Sequence, residues 1–150
     1  MPLARYYEAM NAVAVGRRIE AVSAAEVIAL DAAGALPPQP PMEIPRRAPT
    51  RAEWEALSWL LALDGPRVIG VAAYRDVYDY HVAADVREII VVNGRARGCI
   101  ELLRHMSDGA FALDRRLVGN VSIRNRPMQK LLGRVSRSMP SRLVFEGYAR

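Results

Sequence analysis

Cysteine, lysine, histidine and long apolar runs are all scarce in this chain of 150 residues. The single cysteine, Cys99, excludes an internal disulfide framework and any zinc site built on cysteines. With His81 and His105 as its only histidines, the chain has no route to a classical structural zinc centre. The most apolar run, Leu57 to Leu63, is interrupted by Ser58 and falls far short of the roughly 20 residues a membrane-spanning helix needs. Arg5, Glu8, Arg17 and Arg18 break the N-terminal stretch before it reaches signal-peptide length. The expectation is a soluble protein of the cytoplasm with no metal and no membrane. No internal repeat is present, and aromatic residues make up only 7% of the chain.

What is present suits one domain. Half of the residues, 51%, are hydrophobic and 25% are charged, which is ordinary for a globular core and excludes disorder over most of the length. A chain this long typically buries about 68–70% of its unfolded surface and needs no cross-link to hold it. Net charge is +5, from 21 basic and 16 acidic residues, and Lys130 is the only lysine. Two readings of the arginine excess stand. Arginine's planar fork pairs with phosphate through two bonds, which suggests an anionic partner. Alternatively, with no basic run longer than two, the excess is compositional and accompanies abundant alanine.

Along the chain, Leu3 to Val15 has the apolar spacing of a short helix ending before Gly16. Arg18 to Val22 reads as a strand, and Ser23 with Glu26 forms a capping-box pattern for a helix from about Ala24 to Ala33, stopped by Gly34. Leu36 to Pro49 holds six prolines and is expected to be an extended surface crossing. Thr50 caps a short helix through Glu53, Trp54 and Ala56. Ser58 to Leu63 and Arg67 to Tyr74 flank Asp64-Gly65, a hairpin signal. The polar, aromatic stretch from Tyr74 to His81 reads either as a strand extension or as an exposed loop.

Val86 to Val92 is apolar on both faces, as a central strand requires. A glycine loop, Asn93 to Gly98, leads to helical spacing through Ile100, Leu103 and Met106. Arg116 to Ile123 is a further strand, Pro127 to Met139 a helix, and Arg142 to Tyr148 a last strand. The order predicts a single α/β domain with a mixed central sheet flanked by helices.

The sharpest chemical signal is the junction of strand, glycine loop and helix. Helix N-termini carry partial positive charge and unpaired amides, so they bind phosphates. Gly94 and Gly98 allow close backbone approach, and Arg95 and Arg97 add cationic forks. The competing reading is that the glycines only permit a tight turn. The spacing fits neither the Walker loop nor the dinucleotide fingerprint.

From about Trp59 to Tyr148 the chain resembles the GNAT superfamily of acyl-CoA-dependent N-acetyltransferases. LLALDGPRVIGVAAY is similar to the family's hairpin, and VREIIVV stands where the family has its fourth strand. NGRARGCIELL stands where the family has its pyrophosphate motif, an Arg or Gln, two residues, Gly, one residue, then Gly or Ala. That motif falls on Asn93, Ala96 and Gly98, with Asn93 and Ala96 departing from it. RLVGNVSI with Asn125, Met128 and Leu131 is similar to the fifth strand and the following helix. Residues 1–56 are a divergent N-terminal part, with the proline-rich loop at 36–49, and 57–148 is the core.

The resemblance implies acetyl-CoA or another acyl-CoA as co-substrate, with an amine acceptor on a small molecule or a protein. It places Val91, Val92, Asn93, Gly94, Arg95, Ala96, Arg97 and Gly98 at the cofactor, with Asn125 positioning the pantetheine arm or the last helix. On this reading Gly98→Val abolishes cofactor binding and leaves the fold largely intact. Leu132 occupies the position at which members often carry a general-acid tyrosine. The acceptor amine must lose a proton before attack, and Glu88, on a face with Val86 and Ile90, is the first candidate base. The competing reading makes Glu88 an ordinary surface ion pair with an arginine.

The short arginine-rich loop also resembles acetyltransferases encoded by tailed bacteriophages. The alternative function is therefore an inactive GNAT-fold binding or virion-associated structural protein, with a homodimer or a virion partner. Asp76, Tyr78, Asp79, Tyr80 and His81 either line an acceptor pocket or form an exposed loop. Cys99 is expected to be a packing residue and His105 a helical surface residue. Arg124, Arg126, Arg134 and Arg137 form a solvated basic face without interleaved aromatics, so nucleic acid is not the expected partner.

Overall fold

A computed structural model describes residues 16–38, 50–122, 125–135 and 143–148. The expected helix over Leu3 to Val15, most of the proline-rich crossing and the end of the helix expected to reach Met139 lie outside them. Six strands and four helices follow in the order β1 (Arg17–Val22), α1 (Ala24–Ala32), α2 (Arg51–Glu55), β2 (Ser58–Asp64) and β3 (Arg67–Asp79). After these come β4 (Ala84–Gly94), α3 (Ala96–Ala112), β5 (Arg116–Ser122), α4 (Arg126–Val135) and β6 (Leu143–Tyr148).

Local chemistry explains most boundaries. Ser23 Oγ accepts from the Glu26 amide to start α1, and Thr50 and Glu53 close a reciprocal capping box on α2. Asp64-Gly65 turns β2 into β3 as the hairpin signal indicated. Of the two readings for the stretch after Tyr74, the strand extension is the one found: β3 runs on to Asp79 and pairs with β4 from Ala84. Past the end of β2 the polar residues of β3 find partners on β4, Asp76 with Arg87 and Arg75 with Glu88, and only Tyr78 and Asp79, opposite Asp85 and Ala84, lie beyond the β4–β5 ladder. Tyr78 and Tyr80 meet edge to face at the tip, 4.9 Å apart.

The strands lie in the sheet in chain order, β1 to β6. The first four are antiparallel neighbours, while β4–β5 and β5–β6 are parallel. Helices cover both faces, which is why β2 is buried from Trp59 to Leu63 without alternation. On one face Leu60, Ala62, Ala72 and Leu117 pack against Leu102, Leu103, Met106 and Ala110 of α3 and Leu132 and Val135 of α4. On the other, Trp59, Leu61, Leu63, Val71 and Ala73 pack against Ala24, Val27 and Leu30 of α1, with Trp54 of α2 stacked on Trp59. Among the described residues no helix is long and apolar enough to cross a membrane.

Candidate active site

Strand β4 changes character along its length. Val86 to Ile89 pair with Arg116 to Gly119 of β5 on one side and with β3 on the other. Beyond Ile89 the ladder to β5 stops, although β4 continues to Gly94 against β3 and β5 continues to Ser122 against β6. The two parallel strands therefore part between Ile90 and Gly94. The register to β3 skips Ile90, since Val91 opposes Ala73 and Ile89 opposes Tyr74. Such a bulge bends a strand and increases its twist. Backbone groups of β4 in the opened stretch consequently face a cleft rather than a neighbour.

The bulge also resets the faces. Glu88 lies with Val86 on the face of α1 and α2, as alternation indicates, but Val91 rather than Ile90 resumes that side. Val92 packs on the α3 side, and Ile90 is 37% exposed at the cleft.

At the end of β4 the expected glycine loop is a single residue. Asn93 and Gly94 still belong to the strand, and α3 begins at Ala96 with Arg95 as its N-cap. No side chain caps this end. The first-turn amides of Ala96, Arg97 and Gly98 thus lie at a helix start whose backbone donors have no intrahelical acceptor. Arg95, Ala96 and Arg97 are exposed there. Asn93 faces elsewhere, its Nδ2 donating to the carbonyls of Pro37 and Pro38 at 3.1 and 3.2 Å.

The two glycines are required by the protein itself. Gly94 has φ of +142°, and a Cβ there would fall on the Ile69 carbonyl and the Gly70 Cα. A Cβ on Gly98 would lie 2.7 Å from the Ile69 oxygen. The same carbonyl accepts the Arg95 amide at 2.9 Å. Strand β3 and the start of α3 therefore touch backbone to backbone, and the expectation that Gly98→Val leaves the fold largely intact is corrected. Valine at this position collides with β3 before any ligand is involved.

Glu88 Oε2 accepts from Arg75 Nε at 2.9 Å across the β3–β4 ladder, with both side chains solvent-accessible. Asn125 ends the short segment after β5 and caps α4, its Oδ1 accepting from the Met128 amide at 3.2 Å. Leu132 is buried in the core beneath α4. Cys99 is buried beside the glycine contact, and burial pushes its thiol up to about 11 from its ordinary 9.0. That places it among packing residues, not nucleophiles. His105 is exposed on α3. Among the described residues no group of three or more His, Cys, Asp or Glu side chains gathers to hold a metal.

Sequence reasoning missed Arg87. It is 6% exposed, and its Nε and Nη2 donate to Asp76 at 2.9 and 3.1 Å while Nη1 donates to the Met106 carbonyl at 3.3 Å. Its guanidinium lies 4.2 Å over the Tyr74 ring. Burial is the largest single influence and works against the charge, but the hydrogen bond to Asp76 together with the charge interactions with Tyr74 and Asp76 outweighs it and leaves the pKa above its ordinary value. Asp76 is thus committed to this pair rather than to the polar cluster with Tyr78, Asp79, Tyr80 and His81. The available signal was a lone arginine within an apolar central strand, which demands a partner.

No family model and no curated protein sequence matches the chain. Solved structures match in fold. A ribosomal-protein-alanine N-acetyltransferase from Brucella melitensis biovar Abortus 2308 aligns with a TM-score of 0.57 and 16% identity, over 79% of this chain and 88% of that one. An aminoglycoside acetyltransferase from an uncultured soil metagenomic sample aligns at 0.56 and 8%, over 84% and 91%. An integron cassette protein from the mobile metagenome of V. cholerae aligns at 0.57 and 15%, over 81% and 85%. At these identities the likeness is one of architecture. The chain shares with these structures the fold of a single α/β domain with a mixed, helix-flanked sheet.

Proposed function

We propose that the protein is an N-acetyltransferase that transfers an acetyl group from acetyl-CoA to an amine. The observation that carries this reading is the parting of β4 from β5 after Ile89, beside an uncapped helix start flanked by Arg95 and Arg97. An opening between parallel strands admits a slender chain, and a helix N-terminus with two mobile guanidinium groups suits a diphosphate at one end of it. Both the opening and the fold support this choice of co-substrate.

In this reading the amides of Ala96, Arg97 and Gly98 hold the pyrophosphate, and Arg95 and Arg97 neutralise it. Of the successive amides of Val91 and Val92, the one that points away from β3 would donate to the thioester carbonyl and stabilise charge developing on its oxygen. When bound, acetyl-CoA supplies an activated acyl group: a C–N bond forms as the C–S bond breaks, and CoA departs as the thiol. Glu88, directly or through water, takes the proton the acceptor nitrogen must lose, with Arg75 fixing one carboxylate oxygen. With Leu132 in the core, the thiolate takes its proton from solvent.

Acetyl-CoA at saturating concentration is expected to raise the thermal midpoint, and CoA release, read with a thiol reagent, is expected on addition of a panel of primary amines. Glu88→Gln is expected to lower the transfer rate about a hundredfold while leaving acetyl-CoA affinity unchanged. Absence of any thermal shift sinks the cofactor assignment. Binding without transfer to any amine points to a non-catalytic module.

A further inference from the structure

Arg87 and Asp76 have no part in the chemistry above, yet they occupy the root of the cleft. Val86, Arg87, Glu88 and Ile89 are the only residues of β4 paired with β5, and Arg87 lies within this short ladder opposite Leu117. From there one guanidinium reaches three elements: Asp76 on β3, the Met106 carbonyl on α3, and its own strand β4. Helix α3 has a space shaped for it. A Cβ on Gly109 would fall on Arg87 Nη1. On the same face the Tyr74 ring lies under the charge.

Resting on the acetyltransferase reading, we infer that Arg87 and Asp76 are a positioning pair that sets the opening of the β4–β5 cleft and the seat of α3, and through them the affinity for acyl-CoA.

The energetics favour geometry over stability as the pair's contribution. Only Arg87 is buried in this pair, its side chain 7% exposed against 29% for Asp76; taking its charge from water is costly, and replacing a largely buried ion pair by apolar residues of similar volume is often neutral or stabilising. What apolar packing lacks is direction. A bidentate guanidinium–carboxylate fork fixes the angle between the groups it joins. Helix α3 is held at its start by the backbone contact of Gly94 and Gly98 on Ile69 and at Met106 and Gly109 by Arg87. Apolar packing of Leu102, Leu103, Met106 and Ala110 seats α3 on the sheet without fixing its angle. The bonds from Arg87 to Asp76 and to the Met106 carbonyl supply a directional contact at the closed end of β4, and on this inference the helix start and the opened stretch of β4 keep one relative placement through it.

The test uses the double variant Arg87→Met/Asp76→Leu, which removes both charges together and leaves neither unpaired. Its thermal midpoint is expected within a few degrees of the parent. Its Kd for acetyl-CoA by calorimetry is expected to rise about tenfold or more, with KM for acetyl-CoA rising in parallel and kcat little changed. Wild-type affinity in the folded double variant overturns the inference. If that variant does not fold, Gly109→Ala takes its place, since the added methyl displaces the guanidinium and deletes no charge; unchanged affinity there overturns it equally. A wild-type protein that binds no acetyl-CoA removes the acetyltransferase reading instead. Hydrogen exchange then decides the pair's role without ligand. Faster exchange confined to Ile90–Gly94 and the first turn of α3 in the variant supports positioning, and an unchanged pattern refutes it.

Discussion

Between Val86 and Ile89, β4 has a hydrogen-bonded neighbour on each side; between Ile90 and Gly94 it keeps only β3. The closed half is secured by side chains, with Arg87 gripping Asp76 and the Met106 carbonyl and Arg115 Nη1 reaching the Val86 carbonyl at 3.3 Å. The open half is secured by backbone, through glycines pressed on Ile69. Side-chain anchors tolerate some repacking, whereas backbone contacts tolerate none. The contrast teaches how one strand supports a cleft. Where the neighbours part it is tied to α3 by direct backbone contact, and where they stay together it is tied by side chains.

The open half is expected to be the more fragile. Gly98→Val forces a side chain against the Ile69 carbonyl and should cost about 3 kcal/mol or more in urea unfolding. A variant as stable as the parent would show that β3 and α3 yield at that contact. In the closed half, Leu117→Ala removes a fully buried side chain opposite Arg87 and should cost about 2–5 kcal/mol, depending on how far β5 collapses. A smaller loss would mean that the ladder to β5 is slack and the contrast overstated.

Cys99 probes the open half by pH. The folded thiol keeps its proton up to about pH 11, whereas its ordinary value is 9.0. Over that interval the native state binds more protons than the unfolded chain, so stability falls as pH rises. The wild type should lose on the order of 2 kcal/mol more than Cys99→Ala between pH 8 and pH 10.5. Equal losses would mean that water reaches the thiol beside the glycine contact. The smallest effect belongs to the segment leaving β5, the other side of the cleft. Asn125→Ala deletes the cap of α4 and should cost about 1 kcal/mol by thermal unfolding. A loss much larger than that would tie the cap to the cleft itself.

Legibility followed the range of the interactions. The caps at Ser23 and Thr50, the Asp64-Gly65 turn and the strand from Val86 depend on neighbours within a few residues, and all are where local chemistry indicates. Residues 75–79 stood open between strand and loop because polarity marks exposure, and a strand running past the end of β2 can be exposed while remaining strand. The Asn93–Gly98 stretch looked like a loop because glycines break local propensity. Here they continue the strand and open the helix because β3 presses on them.

The sequence by itself determined an α/β domain with a mixed sheet, the order of strands and helices among the described residues, and the strand-to-helix junction that we propose as the anion site. Periodicity, caps and turn residues act over a turn or two and need no distant partner. Only the tertiary structure decided that β4 leaves β5 after Ile89, that Gly94 and Gly98 serve Ile69, and that Arg87 belongs with Asp76. Each of these depends on atoms from separate elements meeting at contact distance, and a bulge at Ile90 that no single strand specifies brings the cleft into being.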